Sequence, residues 1–171
     1  MIIREIEVSD AENLCQLIQQ VEASSAFMLW EPGERENNAE QQTKMIKSIQ
    51  RSNNSTIVVA ESESNELVGY LLAIGGNATR NRHAAYLVVG ISERYRGQGI
   101  GANLFTELDR WATEIGIHRL ELTVVTENEA GLSLYEKMGF IIEGTKRDSL
   151  FIDGVFFNEF YMSKLVNSVF G

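Results

Sequence analysis

Arg94-Tyr95-Arg96-Gly97-Gln98-Gly99-Ile100-Gly101, followed by Ala102-Asn103-Leu104, is the stretch on which the chain turns. Its glycines stand at alternate positions between an apolar run and an amphipathic pattern. After Gly101, the apolar residues Leu104, Leu108, Trp111 and Ile115 recur three or four apart, which predicts a helix with one buried face. Before it, residues 86–91 form a nearly unbroken apolar run, which predicts a buried strand. The glycines therefore lie at a strand-to-helix turn. Glycine has no Cβ, so φ can be positive and a ligand can approach the backbone closely. The free N–H groups of a helix start, at the positive end of its dipole, make an anion site. The turn reads as a holder of phosphate or pyrophosphate.

Several readings of that turn compete. A P-loop is excluded, because no Gly-Lys-Ser/Thr follows. A dinucleotide fingerprint is formally met by Gly97-x-Gly99-x-x-Ala102, with Glu127 as the later acid. There the strand should run almost directly into the first glycine, whereas Ser92-Glu93-Arg94-Tyr95-Arg96 intervenes. Arg96, Gly99 and Gly101 also match Arg/Gln-x-x-Gly-x-Gly/Ala, which resembles the acyl-CoA signature of the GNAT N-acetyltransferases. A tight turn that opens a helix and holds no ligand is the plain alternative.

The chain has 171 residues, enough for one α/β domain over 1–171 with a full core. Its net charge of −9 argues against nucleic acid and anionic membranes as partners, since both need a positive field. It tolerates a cationic substrate such as an amine. A phosphate must then rely on local charge, from Arg94 and Arg96 beside the glycines and from Arg80, Arg82 and His83 before them. One cysteine, Cys15, allows no intrachain disulfide and fits a reducing, cytoplasmic compartment. It falls among Leu14, Leu17 and Ile18 on a helix stripe, and reads as packing more readily than as a nucleophile. No stretch approaches the ~20 apolar residues of a membrane span, and the opening Met1-Ile2-Ile3-Arg4-Glu5-Ile6 has no signal-peptide pattern.

In chain order, residues 2–8 read as a strand. Ser9 and Glu12 have capping-box spacing for a helix whose stripe is Ala11, Leu14, Leu17, Ile18 and Val21. Residues 24–38 read as a loop or short helix. They carry the patch Phe27-Met28-Leu29-Trp30 and the charged turn Glu31-Pro32-Gly33-Glu34-Arg35, whose aromatic residues either line a pocket or pack beneath the loop. A second helix covers 40–51, with Met45, Ile46 and Ile49 inward. Strands at 56–61 and 66–74 form a hairpin. A strand at 83–91 leads to the glycine turn, its helix ends at Gly116, and a strand follows at 119–125. A short helix spans 128–138 and stops at Gly139. The last two strands, 140–152 and 155–165, meet at the hairpin signal Asp153-Gly154, and a few polar residues close the chain. The pattern predicts a single α/β domain with a mixed sheet.

A second motif is Asn128-Glu129-Ala130-Gly131-Leu132-Ser133-Leu134-Tyr135-Glu136-Lys137-Met138-Gly139-Phe140. On a helix Asn128 and Tyr135 share a face two turns apart, with Gly131 between them leaving room for a slender chain. The plain alternative is an N-cap asparagine and a packed tyrosine. With both motifs in this order, nearly the whole chain resembles the GNAT superfamily. The resemblance implies the GNAT fold, a mostly antiparallel mixed sheet flanked by about four helices. It implies transfer of an acetyl group from acetyl-CoA, with no metal, to a primary amine by direct attack in a ternary complex. The acceptor would be a small molecule or a peptide N-terminus. It further implies that main-chain groups of Val89, Gly90 and Ile91 bind the pantetheine arm. Arg96, Gly97, Gln98, Gly99, Ile100, Gly101 and Ala102 would wrap the pyrophosphate. Asn128 would lie on the arm, and Tyr135 near the thioester sulfur.

The residue types suit that chemistry. The leaving thiolate has a conjugate acid of pKa about 8.5, and a phenol can hydrogen-bond or protonate it. The amine must lose a proton to a base or a water chain. Some relatives carry a glutamate where Thr123 stands here, so Glu121, Glu31, Glu34 and Glu159 are the candidate bases, each also readable as a solvated carboxylate. His83 reads as a strand-edge histidine, and two distant histidines make no zinc site. A non-catalytic acyl-CoA sensor and a dinucleotide-binding oxidoreductase stay open as alternatives, as does a homodimer.

Overall fold

In the computed structural model, which describes residues 1–166, the chain opens with β1 (Ile2–Glu5), a 3-10 turn (Val8–Asp10), α1 (Ala11–Ser24) and α2 (Ala39–Arg51). It continues through β2 (Thr56–Glu61), β3 (Leu67–Gly75), β4 (Ala84–Ile91), α3 (Ile100–Ile115) and β5 (Arg119–Val125). It closes with α4 (Glu129–Lys137), β6 (Ile141–Ile152) and β7 (Val155–Leu165). The residues expected to close the chain, 167–171, lie outside the described residues.

The strands form one sheet in the order β1-β2-β3-β4-β5-β7-β6. Every neighbouring pair is antiparallel except β4 and β5, which are parallel. The mixed, mostly antiparallel sheet with four helices is therefore the observed architecture. It leaves no place for the dinucleotide-binding reading, whose crevice needs an open parallel sheet.

Alternation along the strands sorts the core into two layers. Ile57, Val59 and Tyr70 face α1 and α2, where they meet Leu14, Leu17, Ile18 and Ile46. Val58, Ala60, Leu71 and Ala73 face the other way, against Leu104, Phe105 and Leu108 of α3. β2 and β3 are covered on both sides, which is why they read as continuous apolar runs rather than alternating ones.

Two local expectations are corrected. The entrance to α1 is not a Ser9/Glu12 box. Asp10 Oδ2 accepts the Glu7 N–H at 2.8 Å, and the Arg4 fork grips both Asp10 oxygens at 2.8 and 2.9 Å. A buried carboxylate already held by an arginine outcompetes a serine for that place. Ile115 is exposed, although its spacing put it on the buried stripe of α3. Gly116, at φ 83°, turns the chain back there, and Ile117 is buried in its stead, its N–H donating to Ala112 O at 2.9 Å.

Candidate functional site

β4 and β5 pair only from Ala84↔Arg119 to Tyr86↔Glu121. Beyond that point β5 continues against β7 as far as Val125, while β4 continues against β3 as far as Ile91. The two strands therefore part. From Leu87 onward one edge of β4 has no strand partner, and backbone N–H and C=O groups there are open to a ligand. A cleft of about 880 Å³ occupies the gap.

α3 points its start at this cleft. Gly97 and Gly99 have φ of 72° and 81°, and nothing lies within 4 Å of where a Cβ would stand on either. Gly99 is the N-cap and offers no side-chain acceptor to the first turn. The leading N–H groups of α3, on Ile100, Gly101 and Ala102, take no acceptor among the described residues, and all three residues line the cleft at the positive end of the helix dipole. Gly101 has a different role: a Cβ there would come 2.7 Å from Leu134 Cδ2, so its smallness lets α3 approach α4.

Of the twelve residues expected to hold the donor, eleven line this cleft: Val89, Gly90, Ile91, Arg96, Gly97, Gly99, Ile100, Gly101, Ala102, Asn128 and Tyr135. Gln98 does not; its Nε2 donates to Arg94 O at 3.0 Å and braces the turn. Arg96 folds back, donating from Nε to Ile91 O at 3.2 Å and from Nη2 to Ser24 Oγ at 3.0 Å, which ties the end of β4 to the end of α1. Asn128 caps α4, its Oδ1 accepting the Gly131 N–H at 3.0 Å. The room expected at Gly131 is filled by that cap, since a Cβ on Gly131 would stand 2.7 Å from Asn128 Nδ2.

Tyr135 is 8% exposed and packs edge-on against Phe105, ring centroids 5.8 Å apart. Its hydroxyl takes no partner among the described residues. Burial, with a smaller contribution from Tyr86, pushes the phenol well above its ordinary range. It therefore keeps its proton throughout neutral pH and stands as a hydrogen-bond donor.

The candidate bases separate by position. Glu159 lines the cleft, its Oε1 accepting from Ser149 Oγ at 2.5 Å. Glu121 is bound by Arg119 Nε at 2.7 Å and is not part of the lining. Glu31 and Glu34 close their own turn, Glu34 Oε2 accepting the Glu31 N–H at 2.9 Å, and neither is part of the lining. Exposed His83 lies beside His118 at the far end of β4. Cys15 is buried, its Sγ 3.4 Å from Asn37 O, and burial raises its thiol, so it packs and does not react.

The acetyltransferase (GNAT) family profile matches residues 18–140. The chain belongs to the GNAT family. A GNAT acetyltransferase from Streptococcus pneumoniae superposes with a TM-score of 0.93 at 30% identity, covering 97% of this chain and 99% of that one. A GNAT phosphinothricin acetyltransferase from Sinorhizobium meliloti, solved in complex with AcCoA, has a TM-score of 0.85 at 20% identity, over 96% and 88% of the two chains, and shows the fold. In sequence, the L-amino acid N-acetyltransferase AaaT of Escherichia coli K12 is 28% identical over 104 residues, 58% of this chain and 62% of that protein. The chain spans less than two thirds of the length of the curated relatives it matches.

Set on the GNAT frame, the sheet divides the cleft into two sides. Val89 and Ile91 pack with the α3 layer, whereas Tyr70 and Val88 pack with the α1 layer. On the α1 side the wall includes Trp30, Arg35, Tyr70, Tyr86 and Thr123. Sequence reading leaves the aromatic residues of the Phe27–Trp30 patch either lining a pocket or packing beneath the loop, and Trp30 lines the cleft; it does not name Arg35, Tyr70 or Tyr86 as site residues. Phe27 of the same patch packs edge-on against Phe157 of β7, 6.2 Å between centroids, so the loop spans from α1 to the last hairpin. No local motif marks such residues. Among the described residues, no helix is long and apolar enough to cross a membrane, and no cluster of metal-ligating side chains occurs.

Proposed function

We propose that this GNAT chain, as one catalytic domain over residues 1–171, transfers the acetyl group of acetyl-CoA to the primary amine of a small molecule in a ternary complex. The parting of β4 from β5 carries the reading, because it brings a bare helix start, an unpaired strand edge and a buried phenol to one cleft. The first N–H groups of α3, with Gly97 and Gly99 keeping the approach clear, suit the pyrophosphate. The edge of β4 at Val89, Gly90 and Ile91 suits an extended amide-bearing arm, and an N–H there can also hold the carbonyl oxygen as charge develops on it. The relatives' names support the donor and the reaction class. A reducing, cytoplasmic setting fits the single free thiol, Cys15.

In this reading the amine lone pair attacks the thioester carbonyl, the C–N bond forms, and the C–S bond breaks. The Tyr135 hydroxyl donates a hydrogen bond to the departing sulfur and keeps its own proton; the sulfur leaves as the thiolate and takes its proton from solvent. Glu159 takes up the proton that the amine releases, directly or through water. Relief of the amine's positive charge suits a carboxylate rather than the two hydroxyls of Tyr86 and Thr123.

The experiment is thiol release from acetyl-CoA across an amine panel, with product mass measured. Acceptor-dependent release supports transfer, and Tyr135→Phe is expected to lower kcat more than it weakens CoA binding. Tight CoA binding with no release under any amine would favour a second reading, an acyl-CoA sensor. That reading draws on Thr123, which cannot act as a base, and on Glu121, which Arg119 occupies.

A further inference from the structure

On the α1 side, the cleft holds a polar cluster that acetyl-donor chemistry does not use. Glu22 of α1 is 4% exposed, and Arg35 binds it through Nε at 3.0 Å and Nη2 at 2.6 Å, both to Oε1. Arg35 Nη1 takes no acceptor among the described residues. The guanidinium lies over the Trp30 ring, 5.5 Å from its centroid, and both residues line the cleft. A buried carboxylate below and an aromatic face alongside hold the fork in one orientation, with one end free.

Tyr70 stands on the same side. Its ring is pressed to the backbone of β4, where a Cβ on Gly90 would come within 2.6 Å of Cε1. The ring is buried and lines the cleft, and its hydroxyl has no partner among the described residues. Burial first, and then the charge of Glu22, push the phenol up to about 12, while Arg35 pulls it down. Tyr70 is thus a neutral donor within electrostatic reach of the ion pair.

We propose that Arg35 Nη1 and the Tyr70 hydroxyl form a carboxylate subsite, so that the acceptor is a free α-amino acid. The proposal rests on the acetyl-transfer reading for the fate of the amine, but not for the binding itself. A carboxylate takes charge-assisted bonds from a pre-oriented guanidinium and a phenol. Glu159 supplies the opposite charge in the same cleft for the ammonium group. Together they present both signs to a zwitterion. A polyamine has no carboxylate to offer the free end of Arg35. Trp30 and Met28 add an apolar wall for the acceptor's side chain.

The test uses the full chain with saturating CoA and three matched pairs of probes: L-leucine, L-methionine and L-phenylalanine, each against its amide. Binding is read by calorimetry and turnover by thiol release from acetyl-CoA. At least one acid is expected to bind roughly 10–100-fold tighter than its amide. The double variant Glu22→Gln with Arg35→Gln keeps a neutral hydrogen-bonding pair between α1 and the loop, and it should bring that ratio toward one. Tyr70→Phe, which keeps the packing on Gly90, should lower the ratio without abolishing it. Equal binding of acid and amide, an unchanged ratio in both variants, or no binding of any of the three acids overturns the proposal. Acid-selective binding with no thiol release supports the subsite and overturns the transferase reading instead.

Discussion

The Tyr86 hydroxyl and Thr123 Oγ1 stand 2.8 Å apart, joining β4 to β5 where their backbone pairing has just ended. This side-chain bond is the last link before the strands separate. Its net worth is about 0.5–1.5 kcal/mol, toward the low end because Tyr86 is 42% exposed. Thr123→Val and Tyr86→Phe are each expected to lower stability in urea by about that amount, and the double variant by no more than the larger single loss. Fully additive losses would show that the two hydroxyls act independently.

Gly99→Ala tests the helix start. A Cβ there meets nothing within 4 Å, so the folded chain has room for it, but φ of 81° costs a non-glycine residue about 1–2 kcal/mol. The variant should fold, melt at a lower temperature, and bind CoA more weakly, because the methyl group stands where phosphate would approach. Unchanged CoA affinity in the folded variant would remove this turn from the donor site.

Gly90 and Tyr70 should be energetically coupled. Gly90→Ala places a Cβ 2.6 Å from Tyr70 Cε1, and the overpacking should cost about 1–3 kcal/mol. In a Tyr70→Leu background the clash is gone, so the same substitution should cost at least ~0.5 kcal/mol less. A double-mutant cycle by chemical denaturation measures this, and a coupling of zero would mean that the ring yields freely.

Alkaline pH should weaken the fold through its buried phenols. Tyr70 is pushed from 10.0 up to about 12, chiefly by burial, and Tyr135 is raised by burial too. Between those values the unfolded chain gives up the proton and the folded chain keeps it. The stabilisation is therefore complete below about pH 10 and is lost as pH rises toward 12, amounting to about 2–3 kcal/mol for Tyr70. Thermal melts from pH 8 to 11.5 should fall steeply at the alkaline end, and Tyr70→Phe should flatten that fall. At the other extreme, Arg4 holds the Asp10 carboxyl below its usual range by hydrogen bonding, so that contribution is present above pH 4 and is lost on acidification.

Much of the fold was legible because its elements are locally encoded. The stripe of α3, its closure at Gly116, and the Asp153-Gly154 hairpin, with φ of 48° and 79°, are short-range patterns enforced by helical periodicity and backbone sterics. The entrance to α1 was not legible in the same way. Arg4 reaches Asp10 only because β1 lies beside the helix start, and it binds Glu61 of β2 as well, at 2.6 Å. Gly131 misled for a related reason: its free face belongs to the side chain of Asn128, which local spacing could not tell from empty room.

Order along the chain was enough to name the glycine turn, the helix it opens, and the asparagine–tyrosine motif, since each depends on neighbours a few residues away. Which carboxylates reach the cleft was settled by strand pairing and long-range ion pairs, which leave Glu159 in the wall and hand Glu121 to Arg119. The union of Arg35 with Glu22 and the seating of Tyr70 on Gly90 likewise need the loop, α1, β3 and β4 assembled together. Burial and charge pairing are properties of space, and no window on the sequence contains them.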